Sequence, residues 1–424
     1  MRRVILNKGE QFSNKHLKRT GAFNARAMEA ATNIIEQVRE QGDAALRELT
    51  ERFDGVAIED FRVPAEAIEA AASKVDPKTE EALKKAAKQI REFHERQVKQ
   101  SWFSVREDGA LVGAKVTPLE SVGIYAPGGR ALYPSTVLMN ALPAAVAGVE
   151  RIVCVTPPTK DGSIDPVGGA QAVAALAYGT ETIEPVCKIT GPGNAFVAAA
   201  KKIVSGDVGI DMIAGPSEVC VVADETADPA MVAIDLMAQA EHDPLASCYL
   251  VTFDEGYADK VEAAIEGHMK VSTRAEITTA SLADQGLVVI CDSMEQAIQS
   301  VNVIAPEHLE LHFDGAFEQL GAIRNAGAIF VGEWTPEAVG DYVAGPNHTL
   351  PTGGTARYAS PLSTDEFVKH SSVIQYSAKS LANDADAVIA IARHEGLWAH
   401  ARSVELRKAL VETGDIYGLD GADE

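Results

Sequence analysis

Two polar side chains near the end of a predicted helix could bind a metal ion. Asp228 and Pro229 predict the helix start, because Asp caps a first turn and Pro fits its first position. The helical pattern runs to Gln239 and His242, which are three residues apart and share one face of the last turn. The alternative is a polar last turn that faces water, since Gln is an unusual metal ligand.

An acid and an imidazole stand side by side at Glu307 and His308, directly after Pro306. Adjacent side chains point in different directions, so such a pair can address two atoms of one substrate. Histidine is the natural general base near neutral pH, and a neighbouring carboxylate can orient a water molecule. The alternative is a helix start at which both side chains are solvated.

A long connection at residues 340–354 also mixes an acid, Asp341, with an imidazole, His348. It shows little helix or strand pattern, and irregular connections of this length usually line sites. Glu395 and His400 follow in the chain's last helical pattern. Taken alone, His400 is typical of a surface or core histidine and indicates no chemistry.

Two glycine-rich turns follow strand patterns and could contact a nucleotide. Gly191–Asn194 leads into a helix whose first N–H groups could hold a phosphate, although Asn194 is equally typical of a plain helix cap. Tyr125 ends another strand pattern before Gly128 and Gly129, where its side chain could stack on a ring of a ligand. Neither turn identifies a nucleotide site by itself.

The elements around these segments predict an α/β fold. Helices are predicted over 22–51, interrupted at Gly42, and from Asp76 to about Gln100. A β-hairpin is predicted over 102–116. Beyond it, apolar strands alternate with Ala-rich helices, which indicates parallel sheets covered on both faces, and a helical tail is predicted from about Asp365. The predicted strands are Arg151–Thr156, Pro185–Thr190, Glu218–Ala223, Cys248–Phe253, Leu287–Cys291 and Ala328–Val331, and the helices between them include Ala170–Tyr178, Ala195–Val204 and Tyr257–Met269.

Composition excludes several classes of protein. The 424 residues carry 38 basic against 61 acidic side chains, a formal net charge of −23, which disfavours nucleic-acid partners. The longest uncharged stretch, Ala131–Val149, contains prolines and an asparagine, so it predicts a buried loop and helix rather than a membrane span. Five widely spaced cysteines without a CxxC pair, and an apolar run at the start that is far too short for a signal peptide, indicate a cytoplasmic protein.

Taken in order, seven segments resemble the L-histidinol dehydrogenase family, over about residues 21–407. Each segment alone is unspecific, but their order and number make the resemblance specific. The segments are Gly123–Gly129, Thr190–Val197, Asp211–Val219, Ala238–Asp243, Ala305–Leu311, Gly340–Thr352 and Glu395–Ala401.

The resemblance implies a role for each candidate side chain. Glu307 and His308 match the family's acid/base pair. One zinc ion per subunit is implied, with the ligands Gln239, His242, Asp341 and His400. Substrate contacts are implied for Ser217, Gln239, His242, His308, Asp341, His348, Glu395 and His400, and NAD contacts for Tyr125, Gln171 and Asn194.

The implied activity is the NAD-dependent, four-electron oxidation of L-histidinol to L-histidine through L-histidinaldehyde, the final two steps of histidine biosynthesis. The resemblance also implies a homodimer whose active site is shared between subunits. Relatives on this scaffold oxidise other small alcohols, such as a sulfonated propanediol, but the acid Glu395 suits an imidazole substrate. A non-catalytic zinc- or nucleotide-binding protein is a further alternative. This alternative predicts that other residues replace the acid/base pair or the zinc ligands, whereas both sets are present in this sequence.

We therefore expect two Rossmann-like parallel-sheet domains with helical N-terminal and C-terminal segments. The predicted N-terminal segment is 1–22, and the domain with the metal and catalytic residues combines 23–124 with 219–362. The predicted NAD domain is 125–218. The tail 363–424 is expected to be helical and to dock on the partner subunit.

Overall fold

The computed structural model describes residues 1–19, 21, 23–128, 133–159 and 166–416. Gly129 in a predicted turn, and Ala22 and Ala131 at the starts of two predicted segments, lie outside the described residues. The chain forms two compact units, one of Met1–Val98 with Leu119–Phe367, the other of Lys99–Pro118 with Val368–Glu424. None of the described helices is long and apolar enough to cross a membrane.

Strands and helices alternate over most of the described chain. The strands are β1 Arg2–Ile5, β2 Trp102–Val105, β3 Leu111–Pro118, β4 Ser121–Tyr125, β5 Arg151–Val155, β6 Lys188–Thr190, β7 Gly209–Ile210, β8 Glu218–Ala223, β9 Ser247–Thr252, β10 Leu287–Ile290, β11 His308–His312, β12 Ala328–Val331 and β13 Val368–Gln375. The helices are α1 Ala25–Gln41, α2 Asp43–Asp54, α3 Ala65–Ala72, α4 Pro77–Glu95, α5 Pro134–Ala147, α6 Gly169–Tyr178, α7 Ala195–Val204, α8 Pro229–Ala240, α9 Glu255–Met269, α10 Ala275–Asp284, α11 Met294–Ile304, α12 Glu337–Tyr342, α13 Ala378–His394 and α14 Trp398–Thr413.

The larger sheet of the first unit has six parallel strands in the order β1-β10-β9-β8-β11-β12. Val219 and Val221 of β8 pack in one apolar cluster with α8 and α9. Cys220 and Val222 pack in another with α11. Because side chains alternate between the two faces of a strand, both faces of this sheet are buried, as the apolar strand pattern predicts.

The smaller sheet of the first unit has four parallel strands in the order β5-β4-β6-β7. Its helices α6 and α7 share an apolar cluster with α1 and α2, in which Leu46, Leu176 and Val197 are fully buried. The predicted α/β class with parallel sheets is therefore confirmed. The predicted domain boundaries stay predictions, because the two compact units do not separate the two parallel sheets.

The second unit contains an antiparallel sheet in the order β13-β3-β2 and the helix pair α13 and α14. The helix-rich tail predicted from about Asp365 contains α13 and α14, but it begins with a strand, because Val368–Gln375 forms β13. This strand pairs with β3, from Val368 opposite Pro118 to Gln375 opposite Leu111. Its partner lies some 250 residues earlier in the chain, so local sequence pattern gave no sign of it.

The predicted hairpin at 102–116 and the helices at 195–204 and 229–240 are confirmed. The helix from Asp76 is shorter than predicted, since α4 ends at Glu95 and not near Gln100. The N–H groups of Arg96 and Gln97 turn back to carbonyls three residues earlier, which closes the last turn.

Candidate active site

Glu307 and His308 lie where α11 ends and β11 begins. Ala305 closes α11 in a left-handed conformation (φ 49°), and the chain then enters the central strand between β8 and β12. Glu307 is 6% exposed and His308 4%. The alternative of a solvated pair at a helix start is therefore wrong, because neighbouring strands bury this pair on both sides.

A backbone N–H holds the Glu307 carboxylate, and the pKa of this side chain lies near neutral pH. Its Oε2 accepts a hydrogen bond from the Glu218 N–H at 3.0 Å. Burial raises the pKa of Glu307 to about 7, although the charge of His308 and the Glu218 N–H oppose the increase. A carboxylate with this pKa can both take and return a proton near neutral pH.

The His308 imidazole is surrounded by carboxylates. Its Nδ1 lies 3.3 Å from the carbonyl oxygen of Glu218 and 3.7 Å from Oε2 of Glu337. Its Nε2 lies 3.4 Å from Oδ1 of Asp341 and has no well-formed hydrogen bond within the described residues. Burial would lower the pKa of His308, but the charges of Glu337, Glu307 and Asp341 raise it above the ordinary value.

Gln239 and His242 lie together as predicted, although α8 ends at Ala240 and His242 lies in the turn that follows it. Gln239 is 1% exposed, and its Nε2 lies 3.4 Å from Nδ1 of His242, which is exposed. The buried Oε1 of Gln239 has no hydrogen-bond partner among the described residues. An unpaired buried amide oxygen is costly, so this side chain fits a cation ligand better than a plain polar turn.

Asp341 joins this group from α12, so it lies on a short helix and not in an irregular connection as predicted. Burial would raise the pKa of Asp341, but contact with the charged His308 and the charges of His348 and His242 lower it below the ordinary value. His348, which follows in the connection, has a lowered pKa because it is buried. The structure thus brings His242, His308, Asp341 and His348 into one cluster.

The three predicted NAD contacts lie around the smaller sheet. Asn194 caps α7, since its Oδ1 accepts hydrogen bonds from the N–H groups of Phe196 and Val197 at 3.0 and 3.1 Å. The plain-cap interpretation is therefore confirmed for this oxygen. Tyr125 and Gln171 are each 2% exposed, and the Tyr125 hydroxyl accepts a hydrogen bond from the Gly169 N–H next to α6.

The remaining predicted contacts lie apart from one another in the chain. Ser217 precedes β8, is half-buried, and its carbonyl accepts a hydrogen bond from the Ser247 N–H at 2.9 Å. Glu395 ends α13 and His400 lies in the first turn of α14, both in the second unit and both exposed. Their roles toward zinc and substrate stay predictions.

Comparison with known proteins decides the family. A family model described as histidinol dehydrogenase matches residues 17–408, which is most of the chain. This chain belongs to the histidinol dehydrogenase family. It is an oxidoreductase of histidine biosynthesis, as the ordered segments predict.

Relatives with this name match nearly the whole chain. The histidinol dehydrogenase of Bacillus subtilis is 52% identical over 392 residues, covering 89% of this chain and 92% of the relative. That of Clostridium acetobutylicum is 49% identical over 415 residues, covering 94% and 96%. The crystal structure of histidinol dehydrogenase from Elizabethkingia anophelis is 35% identical, with a TM-score of 0.92 and coverage of 97% and 99%.

Two acids of this histidinol dehydrogenase site were missed in the sequence. Glu337 lies four residues before Asp341, so both share one face of α12, a spacing that could have indicated it. In the sequence, Glu218 was identified only as the first residue of a predicted strand. Its backbone contacts both Glu307 and His308, and its side chain accepts a hydrogen bond from the Gly353 N–H at 3.0 Å. Nothing local in the sequence distinguishes it.

Proposed function

We propose that this chain oxidises L-histidinol to L-histidine through L-histidinaldehyde, with NAD as electron acceptor. Membership of the histidinol dehydrogenase family supports the substrate class. The observation that carries the proposal is the buried pair of Glu307 and His308, which faces a cluster of possible metal ligands. A non-catalytic zinc- or nucleotide-binding role would have no use for a buried acid/base pair.

The proposed chemistry divides between the two side chains. Oxidising an alcohol to a carboxylate removes four electrons as two hydrides, each accepted by one NAD. In its neutral form, His308 takes the hydroxyl proton in the first step through Nε2, which has no well-formed hydrogen bond within the described residues. It must release this proton to solvent before it can act as a base in the second step. Glu307 and His308 together take a proton from the water that adds to the aldehyde. The Glu307 pKa of about 7 supports this role, because a neutral solution leaves much of it ionised.

We propose Gln239, His242, Asp341 and His400 as ligands of one zinc ion per subunit. The donors are nitrogen and oxygen atoms that zinc accepts, and the unpaired Gln239 Oε1 supports the assignment. When bound, zinc would orient the imidazole and amine of histidinol and offset the negative charge of Asp341 beside His308. Ser217, His348 and Glu395 complete the proposed substrate contacts, with Glu395 as the acid that pairs with the imidazole.

NAD is proposed to bind beside Tyr125, Gln171 and Asn194. The turn at Gly191 supports this location because hydrogen bonds hold its backbone in place. Its N–H donates to Asp211 at 2.8 Å, and the buried Lys201 donates to its carbonyl at 2.9 Å. A Cβ at Gly191 would lie 2.2 Å from the Tyr125 carbonyl oxygen, so the two predicted NAD segments touch here. The N–H groups of Phe196 and Val197 already bind Asn194, so a phosphate would need other donors.

We further propose a cytoplasmic homodimer in which Glu395 and His400 complete the partner's site. The second unit exposes large apolar side chains, including Trp102, Ile374 and Trp398, of which Trp398 is 74% exposed. Contiguous apolar surface marks protein interfaces, and Trp102 and Ile374 lie on strands of the same three-stranded sheet. The free cysteines support a reducing location.

The substrate is tested by NADH absorbance with the purified chain, NAD and zinc. We expect rapid NADH formation with L-histidinol and little with a sulfonated propanediol at the same concentration. The reverse preference would place the chain among relatives that act on other alcohols. No NADH with either alcohol, in zinc-loaded folded protein, would contradict an alcohol dehydrogenase function.

A further inference from the structure

Three buried titratable side chains lie beside the proposed site without a role in it. Asp235, Glu310 and His312 are 8%, 0% and 3% exposed, and their nearest ligand-type atoms lie within 4.8 Å of one another. The His312 Nε2 lies 3.2 Å from Oε2 of Glu310 and 3.8 Å from Oδ2 of Asp235. No Lys or Arg forms an ion pair with this group among the described residues, so His312 is the one basic side chain that faces the two acids there.

Asp235, Glu310 and His312 lie on β11 and α8, which also carry residues of the proposed site. Side chains of a strand alternate, so His308, Glu310 and His312 share one face of β11. Asp235 lies four residues before Gln239 and therefore shares its face of α8. His312 and Asp235 both contact the Glu310 carboxylate and are called its anchors below. These anchors lie on the same elements that carry the catalytic imidazole and a proposed zinc ligand.

Glu310 also holds the third element of the site. Its Oε1 accepts a hydrogen bond from the Glu337 N–H, the first residue of α12, at 2.6 Å. The residue before this helix is Pro336, which has no side-chain acceptor to cap it. Glu310 therefore supplies from β11 the cap that α12 lacks in its own sequence, and a negative charge there suits the positive end of a helix.

We propose that Glu310 is a positioning residue: anchored by His312 and Asp235, it fixes the start of α12 and so holds Glu337 and Asp341 against His308. The part of this inference that concerns Asp341 as a zinc ligand rests on the proposed function. The short α12 carries both acids one turn apart, so a shift of its first residue moves both relative to His308.

A metal ion within the Asp235 group is the competing explanation. Two carboxylates and an imidazole are donors that divalent cations accept. However, Oε1 of Glu310 is used by the Glu337 N–H, and Oε2 by His312. These hydrogen bonds satisfy the Glu310 carboxylate without an ion, and we therefore assign the group to positioning.

The test compares Glu310→Met, which keeps the length but removes the acceptor, with Glu310→Gln, which keeps one acceptor oxygen. Hydrogen exchange of the peptide 333–342 is measured by mass spectrometry, and zinc affinity by competition with a chelator. We expect faster exchange and at least tenfold weaker zinc binding in Glu310→Met. We expect Glu310→Gln to keep the exchange of this peptide and the zinc affinity close to the wild-type values. A packing defect alone would affect both variants equally, because Met and Gln are similar in length to Glu.

Leu311→Ala is the matched control, because Leu311 is fully buried on the opposite face of the same strand. It should lower the unfolding temperature yet keep wild-type exchange of peptide 333–342 and wild-type zinc affinity well below that temperature. If Glu310→Met does not fold, Asp235→Asn combined with His312→Gln removes the anchors instead. In that variant, exchange of peptide 333–342 that is faster than in the wild type, and zinc binding that is weaker, would support the proposal even if both changes are smaller.

Three outcomes would overturn the inference. The first is wild-type exchange of peptide 333–342 in folded Glu310→Met, or in the anchor variant that replaces it. The second is equal damage in Glu310→Met and Glu310→Gln. The third is a second bound metal ion in the wild type that Glu310→Gln loses. If the wild type binds no zinc, the proposed zinc site fails, while the exchange measurement still decides the role of Glu310.

Discussion

At the scale of single residues, the surroundings of Glu307 decide what it can do. The sequence shows an acid beside an imidazole, and the residue types already predict acid/base chemistry. Burial between two strands and the Glu218 N–H were not predictable, because they depend on β8, which lies some 90 residues earlier. Burial raises the pKa of this acid to about 7, whereas the Glu218 N–H holds the carboxylate in place and opposes part of the increase.

Glu307→Gln should damage the second oxidation more than the first. The amide keeps the shape and can still accept the Glu218 N–H, but it cannot take a proton from water. We expect oxidation of added histidinaldehyde to fall about 100-fold or more, the contribution of a general base. Formation of the first NADH per site from L-histidinol should fall much less. Rapid-mixing absorbance separates the two steps, and equal losses would remove Glu307 from water activation.

Removal of the metal should abolish activity without unfolding the chain. A chelator should abolish the activity, because the substrate loses the ion that orients it, and added zinc should restore the activity. His242→Asn should lower bound zinc while circular dichroism stays native, because His242 is exposed and lies outside the core. His370→Asn, at an exposed histidine of β13, should keep its zinc. Full activity in metal-free protein would refute the zinc assignment.

At the scale of elements, local signals were sufficient for most helices and for several strands of the parallel sheets. Asp228 and Asn194 cap α8 and α7 where the sequence predicts, and β8 and β12 have the predicted bounds. Where pairing or packing partners are distant in the chain, local pattern was misleading. The strand β11 follows a proline and a left-handed residue, and α12 is a six-residue helix whose cap comes from Glu310.

Asn194 allows the cap of α7 to be separated from NAD binding. Asn194→Ala should destabilise the chain by about 1 kcal/mol, because two N–H groups lose their acceptor. Asn194→Asp should keep the cap and the stability but raise the KM for NAD, since its charge repels phosphates. Denaturant unfolding and NAD titration check both. An unchanged KM in Asn194→Asp, with the cap intact, would argue against an NAD contact.

At the scale of the whole molecule, the chain carries its proposed site residues in two separate units. The acid/base pair and three proposed zinc ligands belong to the first unit, whereas Glu395 and His400 belong to the second. Their assignment to one site came from the resemblance alone, because no spacing rule connects residues so far apart in the chain. Because the proposed site residues lie in two units, a site shared between the subunits of a dimer can be tested with one variant in each unit.

Mixed dimers should recover activity from two inactive variants. His400→Asn and Gln239→Ala proteins are unfolded together and refolded as an equal mixture. If His400 serves the partner's site, each mixed dimer has one site with both changes and one with neither. Random pairing makes about half of the dimers mixed, so about a quarter of wild-type activity should return. No recovery, with mixed dimers confirmed by native mass spectrometry, would exclude the shared site.

The central claim is that one site carries out both oxidations, and the number of NADH formed per L-histidinol tests it most directly. A limiting amount of L-histidinol is converted completely with excess NAD, and NADH and L-histidine are measured at the end point. We predict two NADH and one L-histidine for each L-histidinol, because the aldehyde is oxidised further at the Glu307 and His308 pair. One NADH per L-histidinol, with histidinaldehyde as the product, would contradict this account.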